Sequence, residues 1–431
     1  MLARIQRSGF FGVDEIELIS RTYRRHGTAP GTPWDALRHA HLRLPDWFKH
    51  DLDPLGPAYM EQQHRLWRLV SGVERSYEPE IDEKEAAWGD IDPIRTPGFY
   101  ARRDALAIDS AADHVIATGM LLKHCGLRPG DWALEYGAGF AQGALALARM
   151  GVNVDTVDVS ATFCDFVRRQ AEFFKVPLTA HQGQFGLNPR QPQKYRLIWF
   201  YESFHHCLDF AHVVQQLHEH LEDGGRIILA GEPIVAREYE AVPYPWGIRL
   251  HSEVVAVVRQ QHWFELGFSE AFLVELFANA GFIARRVECE PSLFGQIYMF
   301  ERRPDEVQLC DLWMPAALAD GWHGLEPDGR WTAGEARLPV DARPTIAAIE
   351  LELSNRLWRE QRVQIDYGTQ QRTVMLGAGA SATVRFEAVP SVGALVLRCS
   401  TQSPSWWQRV RAGDRRRLGV FVRRLRYLKP A

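Results

Sequence analysis

One stretch constrains the fold of this 431-residue chain more than any other: Leu134-Glu135-Tyr136-Gly137-Ala138-Gly139-Phe140-Ala141-Gln142-Gly143. A strand-like apolar run ends on it, and a helix-like run over Gln142–Met150 starts inside it. Twenty-one residues beyond Gly137, a second apolar run closes on Asp158. Glycines without Cβ admit a ligand to the backbone, and a helix start offers free N–H groups. An acid at the next strand end suits ribose hydroxyls. The pattern asks for a parallel sheet with a nucleotide-type ligand at the carboxyl ends of its strands.

The surrounding sequence keeps that promise. Strand signals at Trp132–Tyr136, Asn153–Asp158, Leu178–Gln182, Leu197–Tyr201 and Arg226–Gly231 alternate with helical runs. These runs cover Gln142–Met150, Ala161–Phe174, Phe210–Leu221 and Ser269–Ala280, with an amphipathic helix at Ala105–Cys125 ahead of them. Such alternation predicts helices on both faces of a parallel sheet. Two last apolar runs, Ala284–Cys289 and Gly295–Phe300, are joined by a link too short for a crossover helix, so they predict an antiparallel edge hairpin. The fold class expected is α/β: a seven-stranded mixed sheet, Rossmann-like, with additions at both ends.

Residues 1–95 are rich in Pro, His, Trp and Arg, with helical fragments at Val13–Arg25 and Ala58–Val73. They are expected to form a mainly helical N-terminal region, and 96–305 the α/β domain. From about Asp311 short alternating segments recur, including Thr345–Leu353, Gln361–Asp366 and Gly419–Leu428. Turn residues separate them, which predicts an all-β sandwich over 311–431.

The glycine spacing bears on the ligand. A dinucleotide fingerprint wants glycines at relative positions 1, 3 and 6, but here position 6 is Gln142 and the third glycine is Gly143. Glu135 before the strip, Asp158 after the second strand and the terminal hairpin together resemble the class I S-adenosylmethionine-dependent methyltransferases. The resemblance implies that Glu135, Gly137 and Gly139 lie under the methionine part of S-adenosylmethionine and that Asp158 binds its ribose. It places Gln184 at the adenine amino group, where a carbonyl can still accept, with Phe185 against the ring. Ala141 stands where the family's third glycine would fall. Glu202, closing the fourth strand, is assigned to the same cofactor.

Methyl transfer to a hydroxyl needs alignment and a proton acceptor. The fourth strand runs into Tyr201-Glu202-Ser203-Phe204-His205-His206, so His205 or His206 is the expected base. Each can equally be a packed or capping residue. No third ligand stands at helical spacing beside the pair, and no metal is expected. An insert at about 232–265 has the position of a substrate lid. Its Tyr244, Trp246, Arg249 and Glu253 suit a sugar ring, although such aromatics also fill local cores. Glu232 is a reserve base or hydroxyl ligand.

The tail segments Gly321-Trp322-His323-Gly324, Gly329-Arg330-Trp331 and Asp414-Arg415-Arg416-Arg417 resemble a β domain appended to bacterial surface-polysaccharide enzymes. That resemblance implies O-methylation of a sugar hydroxyl in a surface glycan or its precursor. A small-molecule or lipid acceptor, or a non-catalytic scaffold of a glycan-assembly complex, are the rival readings. Trp322 and Trp331 are expected in the sandwich core, while Trp406 and Trp407 offer a stacking platform. The arginines between Arg409 and Lys429 are either a solvated face or a contact for a lipid carrier or the inner membrane surface. A net charge of −4 gives no reason to expect nucleic acid. The start Met1–Ser8 lacks a signal peptide's apolar stretch and no run approaches spanning length, so a cytoplasmic enzyme is expected.

Overall fold

The computed structural model describes residues 1–83, 91–104, 106–390, 392–404 and 414–430. Its centre is a seven-stranded sheet built from β1 (Trp132–Tyr136), β2 (Asn153–Asp158), β3 (Leu178–Gln182), β4 (Tyr195–Tyr201), β5 (Leu221–Ala230), β6 (Phe282–Val287) and β7 (Ile297–Arg302). Strand order is β6-β7-β5-β4-β1-β2-β3. The pairs β1/β2, β1/β4, β2/β3 and β4/β5 are parallel. Helices α1 (Ala107–His124), α2 (Gln142–Arg149), α3 (Ala161–Phe174) and α4 (Phe210–His220) belong to the same unit. The mixed sheet and helix alternation are those expected.

Burial explains why the central strands are apolar throughout. In β4, Leu197, Ile198, Trp199 and Phe200 are all fully buried, as a strand covered on both faces requires. The chain order reverses at β1, whose neighbours are β2 on one side and β4 on the other. Open α/β sheets bind ligands at that switch point, beyond the strand carboxyl ends. The register sets Glu135 beside Thr156 and Trp199.

The chain divides into two compact units, one of residues 1–269 with 286–299, the other of 270–285 with 300–431. In the first unit the N-terminal region and the insert share one core. Helix Pro57–Ser71 places Tyr59 so that its hydroxyl donates to the Trp246 carbonyl at 2.6 Å. Trp67 Nε1–H donates to the His262 carbonyl at 2.9 Å, and Trp246 Nε1–H to the Pro54 carbonyl at 2.7 Å. Tyr244 and Trp246 are therefore fully buried and their polar atoms are satisfied inside the protein. This corrects their expected place on a substrate face: the N-terminal region covers them.

The second unit contains two antiparallel sheets. One orders the strands Trp322–Glu326, Gly329–Thr332, Phe421–Leu428, Ala348–Ser354 and Ser381–Glu387; the other orders Glu335–Pro339, Ala394–Cys399, Gln361–Tyr367 and Gln370–Leu376. Leu338, Ile349, Leu351, Val363, Ile365 and Phe386 fill the core between them. Trp322 and Trp331 are buried, as expected, while Trp406 and Trp407 lie outside the described residues.

Strand Phe421–Leu428 carries three of the six described tail arginines, Arg423, Arg424 and Arg426, and these three are matched. Arg424 pairs with Glu306 and Glu352, Arg426 with Glu306 and Glu350, and Arg423 with Glu352. Arg416 pairs with Glu326 and Asp414. These cations are compensated within the sheet, which removes the ground for a lipid-carrier contact through them; Arg409 and Arg411 lie outside the described residues. Among the described residues no helix is long and apolar enough to cross a membrane.

Candidate active site

A cavity of about 1360 Å³ opens at the carboxyl ends of β1, β2, β4 and β5. Pockets for one small ligand run to roughly 1,000 Å³, so this one has room for a cofactor and an acceptor together.

The glycine strip forms one wall. Gly137 has φ 63°, and a Cβ there would sit 2.5 Å from Ser203 Cβ, so no other residue fits without displacement. Ser203 closes the contact, its hydroxyl donating to the Tyr136 carbonyl at 2.7 Å. Gly139 N–H donates to Asp158 Oδ2 at 3.0 Å, and Ser160 N–H to Asp158 Oδ1 at 2.8 Å. Asp158 thereby holds the strip and the start of α3 in register. The shifted third glycine also has a reason. A Cβ on Gly143 would meet Leu121 at 3.2 Å, a tight contact with helix α1, so the glycine lets α1 and α2 approach closely.

Glu135 is buried, with Oε1 accepting from Trp199 Nε1–H at 2.8 Å. Its other oxygen is buried and finds no hydrogen-bond donor among the described residues. Burial pushes its carboxyl up to about 8. An orphaned acceptor in the cavity wall fits a cofactor that brings its own donors. Gln184 and Phe185 line the same cavity, with Gln184 Nε2–H donating to Glu80 and Phe185 packed on Tyr136 and Phe200. Of the residues expected to hold S-adenosylmethionine, Glu135, Gly137, Gly139, Asp158, Gln184 and Phe185 line this cavity and fit it, while Glu202 lines it among the titratable groups described next.

The same cavity is lined by a cluster of titratable groups. Glu202 sits at φ 49°, a strained conformation for a side chain of its size, at the end of β4. Burial, then the charges of Glu232 and Glu265, push it up to about 8. Its Oε2 lies 3.2 Å from His114 Nδ1, which also meets the Tyr201 hydroxyl at 2.6 Å.

His205 and His206 follow in a short 3-10 turn. Glu232 organises that turn: it accepts from the backbone N–H groups of Ser203 and Phe204 at 2.9 Å and of His205 at 3.1 Å, and lies 2.8 Å from His205 Nδ1. Burial disfavours its charge, but His205 and these N–H groups hold its carboxyl below the usual range. With its oxygens so engaged Glu232 is no free base, which corrects its expected role as base or hydroxyl ligand. Burial, then His206, lowers His205 against the pull of Glu232 and Glu265. His206 Nδ1 lies 3.0 Å from Glu83 Oε2; burial opposes its charge, but Glu83 outweighs this and raises it to about 9.

Glu265 completes the cluster. Its Oε2 is 3.7 Å from His205 Nε2, and Arg249 pairs with it. Burial works against its charge, but Arg249 and the two histidines bring it down to about 2. Arg249 lines the cavity as expected, whereas Glu253 is exposed on the first turn of helix Ser252–Gln261 and does not. This corrects its expected acceptor role.

The sequence reading missed Glu83, His114 and Glu265. Glu265 had one signal, an acid inside the apolar run Trp263-Phe264-Glu265-Leu266-Gly267-Phe268. Glu83 had none, because it sits inside the acidic stretch Tyr77–Asp92, which reads like any solvated one. Glu265 also supplies the third donor whose absence argued against a metal: His205, His206 and Glu265 offer ligand atoms within 4.8 Å of one another.

Residues 133–225 match the family model described as "Methyltransferase domain". No curated protein matches the chain by sequence. Among solved structures, the geranyl diphosphate C-methyltransferase of Streptomyces coelicolor A3(2), described with Mg2+, geranyl diphosphate and S-adenosyl-L-homocysteine, is 16% identical. It overlaps 58% of this chain and 100% of its own, with a TM-score of 0.37. The CcbJ methyltransferase of Streptomyces caelestis is 18% identical over 44% of this chain and 90% of its own, TM-score 0.34. The Burkholderia thailandensis 1,6-didemethyltoxoflavin-N1-methyltransferase, with bound 1,6-didemethyltoxoflavin and S-adenosylhomocysteine, is 19% identical over 47% and 82%, TM-score 0.34. By the family match, residues 133–225 are a methyltransferase domain.

Proposed function

We propose that the acceptor is a hydroxyl group, that of a sugar in a bacterial surface glycan or its precursor. The observation that carries the hydroxyl reading is that Glu202, His205, His206 and Glu265 share one cavity with the glycine strip. The sugar reading draws on the dense hydrogen-bonding wall there, Arg249, Tyr239 and His251 beside Trp263, and on the resemblance of the tail.

The bound cofactor supplies a methyl group on a sulfonium. Glu135, Gly137, Gly139 and Asp158 hold it at one wall, with Gln184 and Phe185 at the adenine end. His205, His206 and Glu265 hold the acceptor hydroxyl in the same cavity. Glu202, whose pKa of about 8 suits proton transfer near neutrality, takes the hydroxyl proton. Transfer would form the acceptor O–CH3 bond as the cofactor's S–CH3 bond breaks, with the hydroxyl proton left on Glu202. Glu202, first assigned to the cofactor, becomes the base in this scheme.

Incubating the protein with S-adenosylmethionine and candidate sugars, and weighing the products, tests the acceptor. Glu202→Gln should bind S-adenosylhomocysteine normally and lose roughly 10²-fold or more in turnover. For the wild type, kcat should climb about tenfold per pH unit below about 8 and then level off. A Glu202→Gln enzyme that keeps full activity would remove the base, and products methylated on carbon or nitrogen would remove the hydroxyl.

A further inference from the structure

From the same wall of the cavity we infer that His205, His206 and Glu265 bind a divalent transition-metal ion, against which the acceptor hydroxyl is set. The inference rests on reading this cluster as the acceptor side of the site.

The donor set is the first ground. Two imidazoles and a carboxylate place ligand atoms within 4.8 Å of one another in a largely buried pocket, a distance that small side-chain movements close around one ion. Imidazole with carboxylate suits Zn2+, Mn2+, Fe2+ or Co2+ rather than Mg2+ or Ca2+, which prefer all-oxygen sites.

The second ground is independent of the ligands themselves. Metal-binding histidines are held by a carboxylate or carbonyl on the nitrogen that faces away from the ion. His205 has such a partner, Glu232, which lies 2.8 Å from its Nδ1; Glu83 Oε2 lies 3.0 Å from His206 Nδ1 as an ion-pair contact without hydrogen-bond alignment. His205 Nε2 then points toward Glu265, 3.7 Å from its Oε2. Glu83 is itself fixed, its Oε1 accepting from the Tyr77 hydroxyl at 2.6 Å and the Phe264 N–H at 2.8 Å.

Charge is the third ground. Glu83, Glu232 and Glu265 converge here, while the permanent cation paired at the cluster is Arg249 on Glu265. A divalent ion would take the place of the proton that His206 otherwise holds against these carboxylates, and burial makes that balance matter. Arg249 keeps its hold on Glu265, whose carboxylate has lone pairs enough for both.

The test uses the full-length protein, dialysed against chelator and then titrated with Zn2+ by calorimetry and with Co2+ by visible absorption. One saturable equivalent per chain is expected. Glu265→Gln and His205→Ala should abolish it, and Glu232→Gln should weaken it roughly 10–100-fold by releasing His205. Affinity for S-adenosylhomocysteine, measured on each variant, reports that it is folded. No saturable Zn2+ or Co2+ binding to the wild-type protein overturns the inference outright, whatever the variants do. So does stoichiometric binding that survives both Glu265→Gln and His205→Ala. Normal S-adenosylhomocysteine binding without metal binding leaves the methyltransferase intact and removes only the ion.

Discussion

At the scale of single residues, Glu135 makes the sharpest statement. A carboxyl with one orphaned oxygen, raised by burial from 4.5 to about 8, binds a proton in the folded protein that it loses in the unfolded chain. Its contribution to stability is therefore full below pH 4.5 and is lost as pH rises through about 8. Without cofactor, Glu135→Gln should flatten the fall in melting temperature between about pH 5 and about pH 9, an effect of at most about 5 kcal/mol. Parallel wild-type and variant curves would contradict it. Glu135, Gly137, Gly139 and Asp158 were legible in the sequence because a single β-turn-helix-β stretch carries all their geometry. Glu265 and Glu83 were not, since they reach His205 and His206 from other parts of the chain and only folding makes them neighbours. Glu232 was legible as a strand-end acid but not in its task, which depends on the N–H groups of a 3-10 turn that composition does not reveal.

At the scale of elements, the insert is where periodicity misled. Tyr244-Pro245-Trp246 looks like a ligand-facing aromatic set when read alone, because the sequence does not say which surface will cover it. Helix Pro57–Ser71 does so, with Tyr59, Gln63 and Trp67 meeting the insert's backbone. The insert is thus a structural joint whose inner edge, at Arg249 and Glu265, reaches the cavity. Trp246→Phe should cost about 1–2 kcal/mol in chemical denaturation, from the lost bond to the Pro54 carbonyl, and leave the acceptor KM unchanged. A raised KM at unaltered stability would return Trp246 to the acceptor site. The strands, by contrast, were legible nearly to the residue. β1, β2 and β3 begin and end where apolar runs meet Gly, Pro or polar breaks, while β5 starts earlier than expected, at Leu221, which pairs with Tyr195 ahead of a register shift that leaves Glu222-Asp223-Gly224-Gly225 out of the ladder before Arg226 resumes it.

At the scale of the whole molecule, two units follow from two hydrophobic patterns, one alternating between strand and helix and one built of short strands alone. In the second, the arginine-rich strand Phe421–Leu428 looked like a basic patch only while its partners were unknown. Because Glu306, Glu350 and Glu352 neutralise it, replacing Arg424 and Arg426 with Gln should leave co-sedimentation with anionic vesicles unchanged. Vesicle binding that falls with these two arginines would restore the membrane reading. The central claim is narrower: the glycine strip holds S-adenosylmethionine beside a wall that activates a hydroxyl. Calorimetric titration with S-adenosylhomocysteine tests it most directly. One site per chain is predicted, weakened at least about tenfold in Gly137→Ala, whose added methyl meets Ser203 at 2.5 Å. No heat with S-adenosylhomocysteine, alongside saturable binding of a nicotinamide dinucleotide, would contradict it.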